Sequence, residues 1–222
     1  FWFVNFRTML KLTIWWMRTR RNRVLFIFEG REYTYGETYK QASIYANFFL
    51  TERKKLVDAG KLGKHDRLAL GVYMENTPEY VFASLAAGLG NSVLFAINTG
   101  FRGETLAKVI DQAKVAFLVV NGNSADEIKK VAGEITVIGE KDILCVGSDE
   151  EIKKTGYRSL ARAVADASEK VPGRYRVPVD NFSPVIVIYT SGTTGMPKGV
   201  PCTHIKLVGA GFVVQNAVKL TR

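Results

Sequence analysis

The sequence predicts an α/β protein in which mostly parallel sheets are flanked by helices. Segments with the apolar runs of buried strands alternate with segments of helical periodicity along most of the chain. The strand-like runs are almost continuously apolar, as expected for parallel strands that helices cover on both faces. At 222 residues the chain is long enough to bury a substantial core. It contains no internal repeat and no low-complexity tract.

The first segment, residues 1–28, combines aromatic side chains with basic ones. It carries six arginines or lysines and no acid, so it holds +6 of the formal net charge of +10 and leaves residues 29–222 close to neutral. An aromatic face with a basic flank is typical of a helix that lies on an anionic membrane surface. A helix packed against another part of the protein has the same composition, and this alternative stays open.

A hairpin and a long helix are predicted next. Residues 24–28 and 33–34 are strand-like on either side of a turn at Gly30. Thr34 and Glu37 have the spacing of a capping box, which marks a helix start. The helix that follows has one apolar stripe, formed by Ala42, Tyr45, Ala46, Phe49 and Leu50.

The remaining elements alternate between the two types. The predicted strands are 67–74, 92–97, 115–120, 135–138, 143–146 and 184–189, and the predicted helices are 76–88, 104–112, 125–131 and 159–167. The polar stretch 169–181 contains two prolines and a glycine and is expected to be a connection. Arg102 either faces a nucleotide or caps the helix that begins beside it.

Cysteine usage and hydropathy exclude several classes of protein. Cys145 and Cys202 form no CxxC pair, so neither a disulfide framework nor a four-ligand zinc site is expected, and no metal ligands are assigned. No apolar run reaches the roughly 18 residues of a spanning helix. We expect a cytoplasmic protein with no nucleic-acid partner, and association with a membrane through residues 1–28 stays one of the two alternatives for that segment. The rival hypothesis is a nonenzymatic domain that binds anionic lipid or nucleic acid through its basic end and is indifferent to ATP.

The segment that carries chemistry follows the strand 184–189. It reads Thr190-Ser191-Gly192-Thr193-Thr194-Gly195-Met196-Pro197-Lys198-Gly199. Glycines let backbone N–H groups approach phosphate oxygens, the hydroxyls add donors, and Lys198 adds a positive charge. The lysine lies between Pro197 and Gly199, so the loop is not a Walker A motif. A flexible Gly/Ser/Thr linker is disfavoured because a buried-type strand runs directly into the loop.

Residues 189–200 resemble the phosphate-binding signature of the adenylate-forming (AMP-binding) superfamily, which includes acyl-CoA synthetases, luciferase-like enzymes and adenylation domains of peptide synthetases. His204 matches the histidine that commonly follows this loop at a helix start. Weaker resemblance covers most of the chain from residue 29. Residues 96–106 are similar to the corresponding segment of ligases for fatty and other bulky acids.

The resemblance implies ATP-dependent activation of a carboxylic acid to an acyl-adenylate and then to acyl-CoA, with ATP, Mg²⁺ and coenzyme A. It implies catalytic roles for Lys198 and His204. It also implies that the nucleotide phosphates are bound by Tyr189, Thr190, Ser191, Gly192, Thr193, Thr194, Gly195, Lys198 and Gly199.

Several motifs of the superfamily are missing from the 222 residues: the aromatic-Gly-x-Thr-Glu segment, the ribose-binding aspartate and the C-terminal catalytic lysine, all of which follow the loop. Residues 29–222 are therefore expected to be an incomplete AMP-binding domain without its C-terminal part. We expect these residues alone not to complete adenylation. A different thiol acceptor, or an oxidative one, stays open as an alternative to coenzyme A.

Overall fold

A computed structural model describes residues 9–172, 180–190 and 196–217. In these ranges the helices are α1 (Met9–Thr19), α2 (Tyr35–Asp58), α3 (Pro78–Leu89), α4 (Gly103–Ala113), α5 (Gly122–Val131), α6 (Asp149–Thr155), α7 (Leu160–Val164) and α8 (His204–Ala217). The strands are β1 (Val24–Phe28), β2 (Arg31–Thr34), β3 (Ala69–Tyr73), β4 (Val93–Ala96), β5 (Phe117–Asn121), β6 (Ile143–Val146), β7 (Arg158–Ser159), β8 (Pro184–Thr190) and β9 (Lys198–Thr203).

Seven of the strands form one sheet in the order β7-β6-β5-β3-β4-β8-β9. Every neighbouring pair is parallel except β8 and β9, which form an antiparallel hairpin at one end of the sheet. The strands β1 and β2 make a separate antiparallel hairpin. This arrangement confirms the predicted α/β class with a mostly parallel sheet.

Alternate side chains of the central strands enter different cores, one on each face of the sheet. On β5, Phe117 and Val119 pack with residues of α2, α3 and α7, whereas Leu118 and Val120 pack with residues of α4 and α5. All four side chains are buried. Both faces of the sheet are thus covered by helices, which explains why the strand sequences are almost continuously apolar.

The start of α2 follows the sequence signals. The Thr34 hydroxyl accepts a hydrogen bond from the backbone N–H of Glu37 at 3.1 Å, as the capping box predicts. The Glu37 carboxylate is engaged by Arg31. In the predicted apolar stripe, Ala42, Tyr45, Ala46 and Phe49 are buried and Leu50 is half-buried.

The predicted strand at 135–138 is wrong. The backbone N–H groups of Thr136 and Val137 both donate to the carboxylate of Asp111, at 2.9 and 3.2 Å, and not to a neighbouring strand. A side chain thus satisfies the donors that a ladder would otherwise use.

One helix differs in extent from its prediction, and two elements were not predicted. The helix predicted at 159–167 is only Leu160–Val164, and it starts after Ser159, whose hydroxyl caps it and whose backbone pairs with β6. Helix α6 and strand β9 were not predicted. The first has a complete capping box from Ser148 and Glu151 that could have revealed it.

Helix α1 packs against α2 and buries Met17. Its other side carries exposed Trp15, and the Arg20 guanidinium lies 3.7 Å from the ring centroid of Trp16. Over the described ranges, no helix combines the length and apolar character needed to cross a membrane.

Candidate phosphate-binding site

The candidate loop is the tip of the β8–β9 hairpin. Thr190 ends β8 and pairs with Lys198, the first residue of β9, and Tyr189 pairs with Gly199. The segment 191–197 therefore connects two paired strand ends. Within it, Ser191, Gly192, Thr193, Thr194 and Gly195, all predicted to bind phosphate, lie outside the described residues.

The hairpin tip lies at the edge of the sheet where ligands bind in open α/β folds. Thr190 is at the carboxyl end of β8, which is parallel to β4. After β4 the chain crosses back over β3 to reach β5, whereas after β8 it turns away to β9. Connections that leave adjacent strands in opposite directions open a crevice at the carboxyl ends. Thr190 and Lys198, which flank the segment predicted to bind phosphate, lie at this edge of the sheet.

Lys198 is exposed at the start of β9. Its side chain lies on the same face of the hairpin as exposed Thr190, its register partner. Within the described ranges no carboxylate forms an ion pair with it. Its charge is therefore available to an anion at the tip.

Tyr189 and Gly199 belong to the packing that supports the strand ends beside the loop. The Tyr189 side chain is buried in the core that α4 and α5 cover, and burial raises the pKa of its hydroxyl. A Cβ atom on Gly199 would be 2.9 Å from Cγ1 of Val187 and 3.4 Å from Cζ of Tyr189. Because Gly199 has no side chain, Val187 and Tyr189 can pack closely against its backbone. Any contact of Gly199 with a ligand is through its backbone.

His204 lies at the opposite end of the hairpin from Lys198. It begins α8, directly after Thr203, which pairs with Pro184 at the amino end of β8. Six residues of extended chain separate it from Lys198 by about 20 Å. The structure does not bring these two predicted catalytic residues together.

The imidazole of His204 is only 3% exposed. Neither ring nitrogen has a hydrogen-bond partner among the described residues. Burial lowers the pKa of His204, and the charge of Arg67 lowers it further, whereas Asp180 acts in the opposite direction. At neutral pH the ring is thus uncharged.

Arg102 neither caps α4 through its side chain nor remains free for a nucleotide. Its guanidinium donates to the Tyr73 hydroxyl at 2.9 Å and lies 3.2 Å from the Glu127 carboxylate. The Tyr73 hydroxyl in turn donates to the Phe101 carbonyl at 2.9 Å. These contacts hold the segment that follows β4.

Sequence reasoning missed Arg67. Its guanidinium donates to the backbone carbonyls of Asn91, Ser92 and Pro184 at the amino ends of β4 and β8. Burial lowers the pKa of Arg67 to about 10, so it remains charged at neutral pH. The signal in the sequence that could have indicated this role was an arginine close to the start of a buried strand.

No metal cage is formed by the described part of the chain, where no three His, Cys, Asp or Glu side chains cluster. Mg²⁺ is commonly held by one or two carboxylates together with the phosphates of a nucleotide. The described residues of the hairpin offer Lys198 and hydroxyl or backbone groups, which fit phosphate oxygens, and include no carboxylate.

Comparison with known proteins identifies relatives over nearly the whole chain. Residues 14–221 match the protein family described as AMP-binding enzyme. The 4-coumarate–CoA ligase 1 of Arabidopsis thaliana is 27% identical over 184 residues, which cover 81% of this chain and 30% of that protein. The 4-coumarate–CoA ligase 2 of Solanum tuberosum is 30% identical over 167 residues, covering 74% and 28%.

A third relative is named for different acids. The medium/long-chain-fatty-acid–CoA/3-oxocholest-4-en-26-oate–CoA ligase of Mycobacterium marinum is 28% identical over 185 residues, which cover 82% of this chain and 32% of that protein. The chain thus spans about 30% of the length of the curated relatives that it matches.

Solved structures show the same fold. A long-chain-fatty-acid–CoA ligase from Archaeoglobus fulgidus superposes with a TM-score of 0.72 at 19% identity, over 96% of this chain and 40% of that one. An anthranilate CoA ligase in complex with anthranoyl-AMP also gives 0.72, at 18% identity, over 89% and 35%. At these identities the similarity is evidence for the fold alone.

Proposed function

Because the chain belongs to the AMP-binding enzyme family, we propose that it forms the phosphate-binding part of an enzyme that activates a carboxylic acid with ATP. A carboxylate oxygen attacks the α-phosphorus, the bond to the bridging oxygen breaks, and acyl-adenylate and pyrophosphate result. The thiol of coenzyme A then attacks the acyl carbon, loses its proton and displaces AMP. The product is an acyl-CoA thioester.

The observation that carries the proposal is the location of Lys198. An exposed lysine without a carboxylate partner in the described ranges begins β9, at the carboxyl edge of the sheet and opposite Thr190. Negative charge builds up on pyrophosphate as it leaves, and a fixed cation nearby stabilises it. Lys198 and the loop 190–198 would therefore hold the β- and γ-phosphates.

We propose a fatty or other bulky acid as the substrate and coenzyme A as the acceptor. The similarity of residues 96–106 to ligases for such acids supports this choice. Relatives named for 4-coumarate and for medium- and long-chain fatty acids support a bulky acid in general. A carrier-protein thiol or an oxidative acceptor is the alternative, and product analysis with coenzyme A present or absent separates them.

We also propose that residues 1–28 hold the protein at an anionic membrane surface. Arg18, Arg21 and Arg23 are exposed, and Trp15 is 49% exposed on the adjacent helix α1. Exposed arginines attract anionic headgroups, and an indole ring is favoured at the headgroup level. This location would suit an enzyme whose substrate partitions into lipid.

The activity is tested by exchange of labelled pyrophosphate into ATP. We expect acid-dependent exchange in a longer protein that contains this chain, and its loss in Lys198→Ala. We expect none from the 222 residues alone, because the chain spans only about 30% of its relatives. Exchange by the isolated chain would contradict the proposed incompleteness, and exchange unaffected by Lys198→Ala would contradict the role of the loop.

A further inference from the structure

One half-buried guanidinium joins the amino ends of three strands. Arg67 lies two residues before β3, and its Nε donates to the Asn91 carbonyl at 3.2 Å. Its Nη2 donates to the carbonyl of Ser92, the residue before β4, at 2.5 Å. The other terminal nitrogen donates to the carbonyl of Pro184, the first residue of β8.

These contacts require arginine and not simply a positive charge. Two of the acceptors are the carbonyls of the adjacent residues Asn91 and Ser92 and the third belongs to Pro184 on a different segment, and a planar fork of N–H donors can bind all of them at once. Among the described residues, no carboxylate forms an ion pair with Arg67. This half-buried cation is instead stabilised by its carbonyl acceptors, and the three hydrogen bonds fix the orientation of the guanidinium.

The backbone ladder that joins β8 to the rest of the sheet is short. Its ladder with β4 joins only three residue pairs, Leu94 with Ile186, Phe95 with Val187, and Ala96 with Ile188. Its other neighbour is β9, which belongs to the same hairpin. The side chains of Ile186, Val187 and Tyr189 pack into the cores on the two faces of the sheet. The register of β8 along β4 is set by this packing, by the short ladder and by the contacts at its amino end.

A change of register along this short ladder would displace the loop. A slip of one residue would exchange the buried and exposed faces of β8. A slip of two residues would keep the faces but move the tip by about 7 Å along the strand. Because Arg67 binds the Pro184 carbonyl and the carbonyl before β4 at the same time, it opposes both movements.

The start of α8 is attached at the same end. The backbone N–H of His204 donates to the Ser183 carbonyl at 3.3 Å, and that of Ile205 donates to the Asn181 carbonyl at 2.9 Å. These bonds connect the end of β9 to the residues before β8. The amino end of the hairpin is thus fixed, whereas its tip extends to the carboxyl edge.

We propose that Arg67 is a positioning residue for the phosphate loop: by binding the carbonyls at the amino ends of β4 and β8, it sets the register of the hairpin and hence the location of Lys198. Arg67 does not itself reach the ligand, since it acts from the opposite end of β8. The inference rests on the proposed function only for the identity of the ligand.

The test compares Arg67→Lys and Arg67→Gln with a matched control, Arg53→Lys, in the full chain. Arg53 is a buried arginine that likewise donates to backbone carbonyls, those of Lys64 and Asp66, which precede β3 and do not belong to the hairpin. Two readouts are taken: hydrogen–deuterium exchange of peptides from residues 184–203, and the affinity for inorganic pyrophosphate.

We expect Arg67→Lys to fold, to exchange faster in 184–203 than the control, and to bind pyrophosphate about tenfold more weakly, since misplaced charged donors lose much of their effect. Arg53→Lys should leave both readouts as in the wild type. Unchanged exchange in Arg67→Lys, or equal changes in the control, would overturn the proposal. Failure of both Arg67 variants to fold where Arg53→Lys folds would also overturn it, because Arg67 would then support the whole fold.

The two readouts separate this inference from the proposed function. If the wild-type chain bound no pyrophosphate, the proposed function would fail. Hydrogen–deuterium exchange of residues 184–203 would still decide whether Arg67 sets the register of the hairpin. Faster exchange in Arg67→Lys with unchanged pyrophosphate affinity would refute the positioning role while leaving phosphate binding intact.

Discussion

Thr190 and Lys198 face each other across the β8–β9 ladder, with both side chains on the exposed face of the hairpin. Cross-strand partners have Cβ atoms about 5 Å apart. The lysine therefore stands at the base of the loop together with a hydroxyl donor. The loop is anchored on both sides by backbone pairing, so Lys198 starts from a defined point at the carboxyl edge of the sheet.

Gly199→Ala should destabilise the hairpin. The added methyl group would lie 2.9 Å from Cγ1 of Val187, and overpacking of this kind costs about 1–3 kcal/mol. Thermal or urea unfolding measures the change. Gly88→Ala is the control, because a Cβ there meets no atom within 4 Å and the residue lies in α3. That substitution should stabilise the protein by about 0.5–1 kcal/mol. Equal effects at the two glycines would contradict the packing described for Gly199.

Acidification should destabilise the protein through His204. Burial and Arg67 lower its pKa, so the folded state binds this proton less readily than the unfolded state does. The stabilisation that results is fully present above the unfolded-state pKa of about 6.5 and is lost as the pH falls through the lowered folded-state value. The free energy of unfolding, measured from pH 7.5 down to 5.5, should therefore fall.

Two variants isolate this effect. His204→Phe removes the titrating group from its buried site, so the fall between pH 7.5 and 5.5 should become smaller. The chain has one other histidine, His65, and His65→Gln should retain the wild-type dependence. If the fall in the free energy of unfolding between pH 7.5 and 5.5 disappeared in His65→Gln and persisted in His204→Phe, His204 would not be the group responsible.

Removing the exposed arginines near α1 should weaken binding to anionic vesicles. Each arginine near a charged surface adds about 1 kcal/mol, so the triple change Arg18→Gln, Arg21→Gln, Arg23→Gln should reduce partitioning about a hundredfold. Sedimentation with phosphatidylserine-containing vesicles measures it. Raising the salt concentration should have a similar effect on the wild type.

A control of equal charge change lies elsewhere on the surface. Lys54, Lys61 and Lys64 are exposed near the end of α2, and their replacement by glutamine removes the same net charge. This variant should bind vesicles nearly as well as the wild type. If it lost as much binding as the arginine variant, net charge and not the surface around α1 would be responsible.

Local signals predicted most of the fold because each acts over a few residues. The Thr34 cap, the apolar stripe of α2 and the apolar strands all follow from short-range spacing. The expected strand at 135–138 failed because the competing acceptor, Asp111, is 25 residues away in the chain. No local pattern identifies such a partner.

The candidate site also has features that the sequence predicts and features that only the structure reveals. The composition of the loop indicated phosphate binding, and the structure adds that Lys198 begins a strand paired with β8. That strand, β9, contains glycine and proline and has little strand character in sequence, since its pairing comes from the hairpin. The contacts of Arg67 join residues 24 to 117 positions apart and could be found only in the folded chain.

The proposed activity requires that the loop bind phosphate through Lys198. The measurement is a titration of the chain with inorganic pyrophosphate and with ATP, for the wild type, Lys198→Ala and the control Lys206→Ala. Lys206 is a second exposed lysine, on α8, where it donates to the Pro201 carbonyl at 3.3 Å. We predict that Lys198→Ala weakens binding of both ligands about tenfold to a hundredfold while Lys206→Ala leaves it nearly unchanged. Equal affinity of wild type and Lys198→Ala, or no binding by the wild type, would contradict the account.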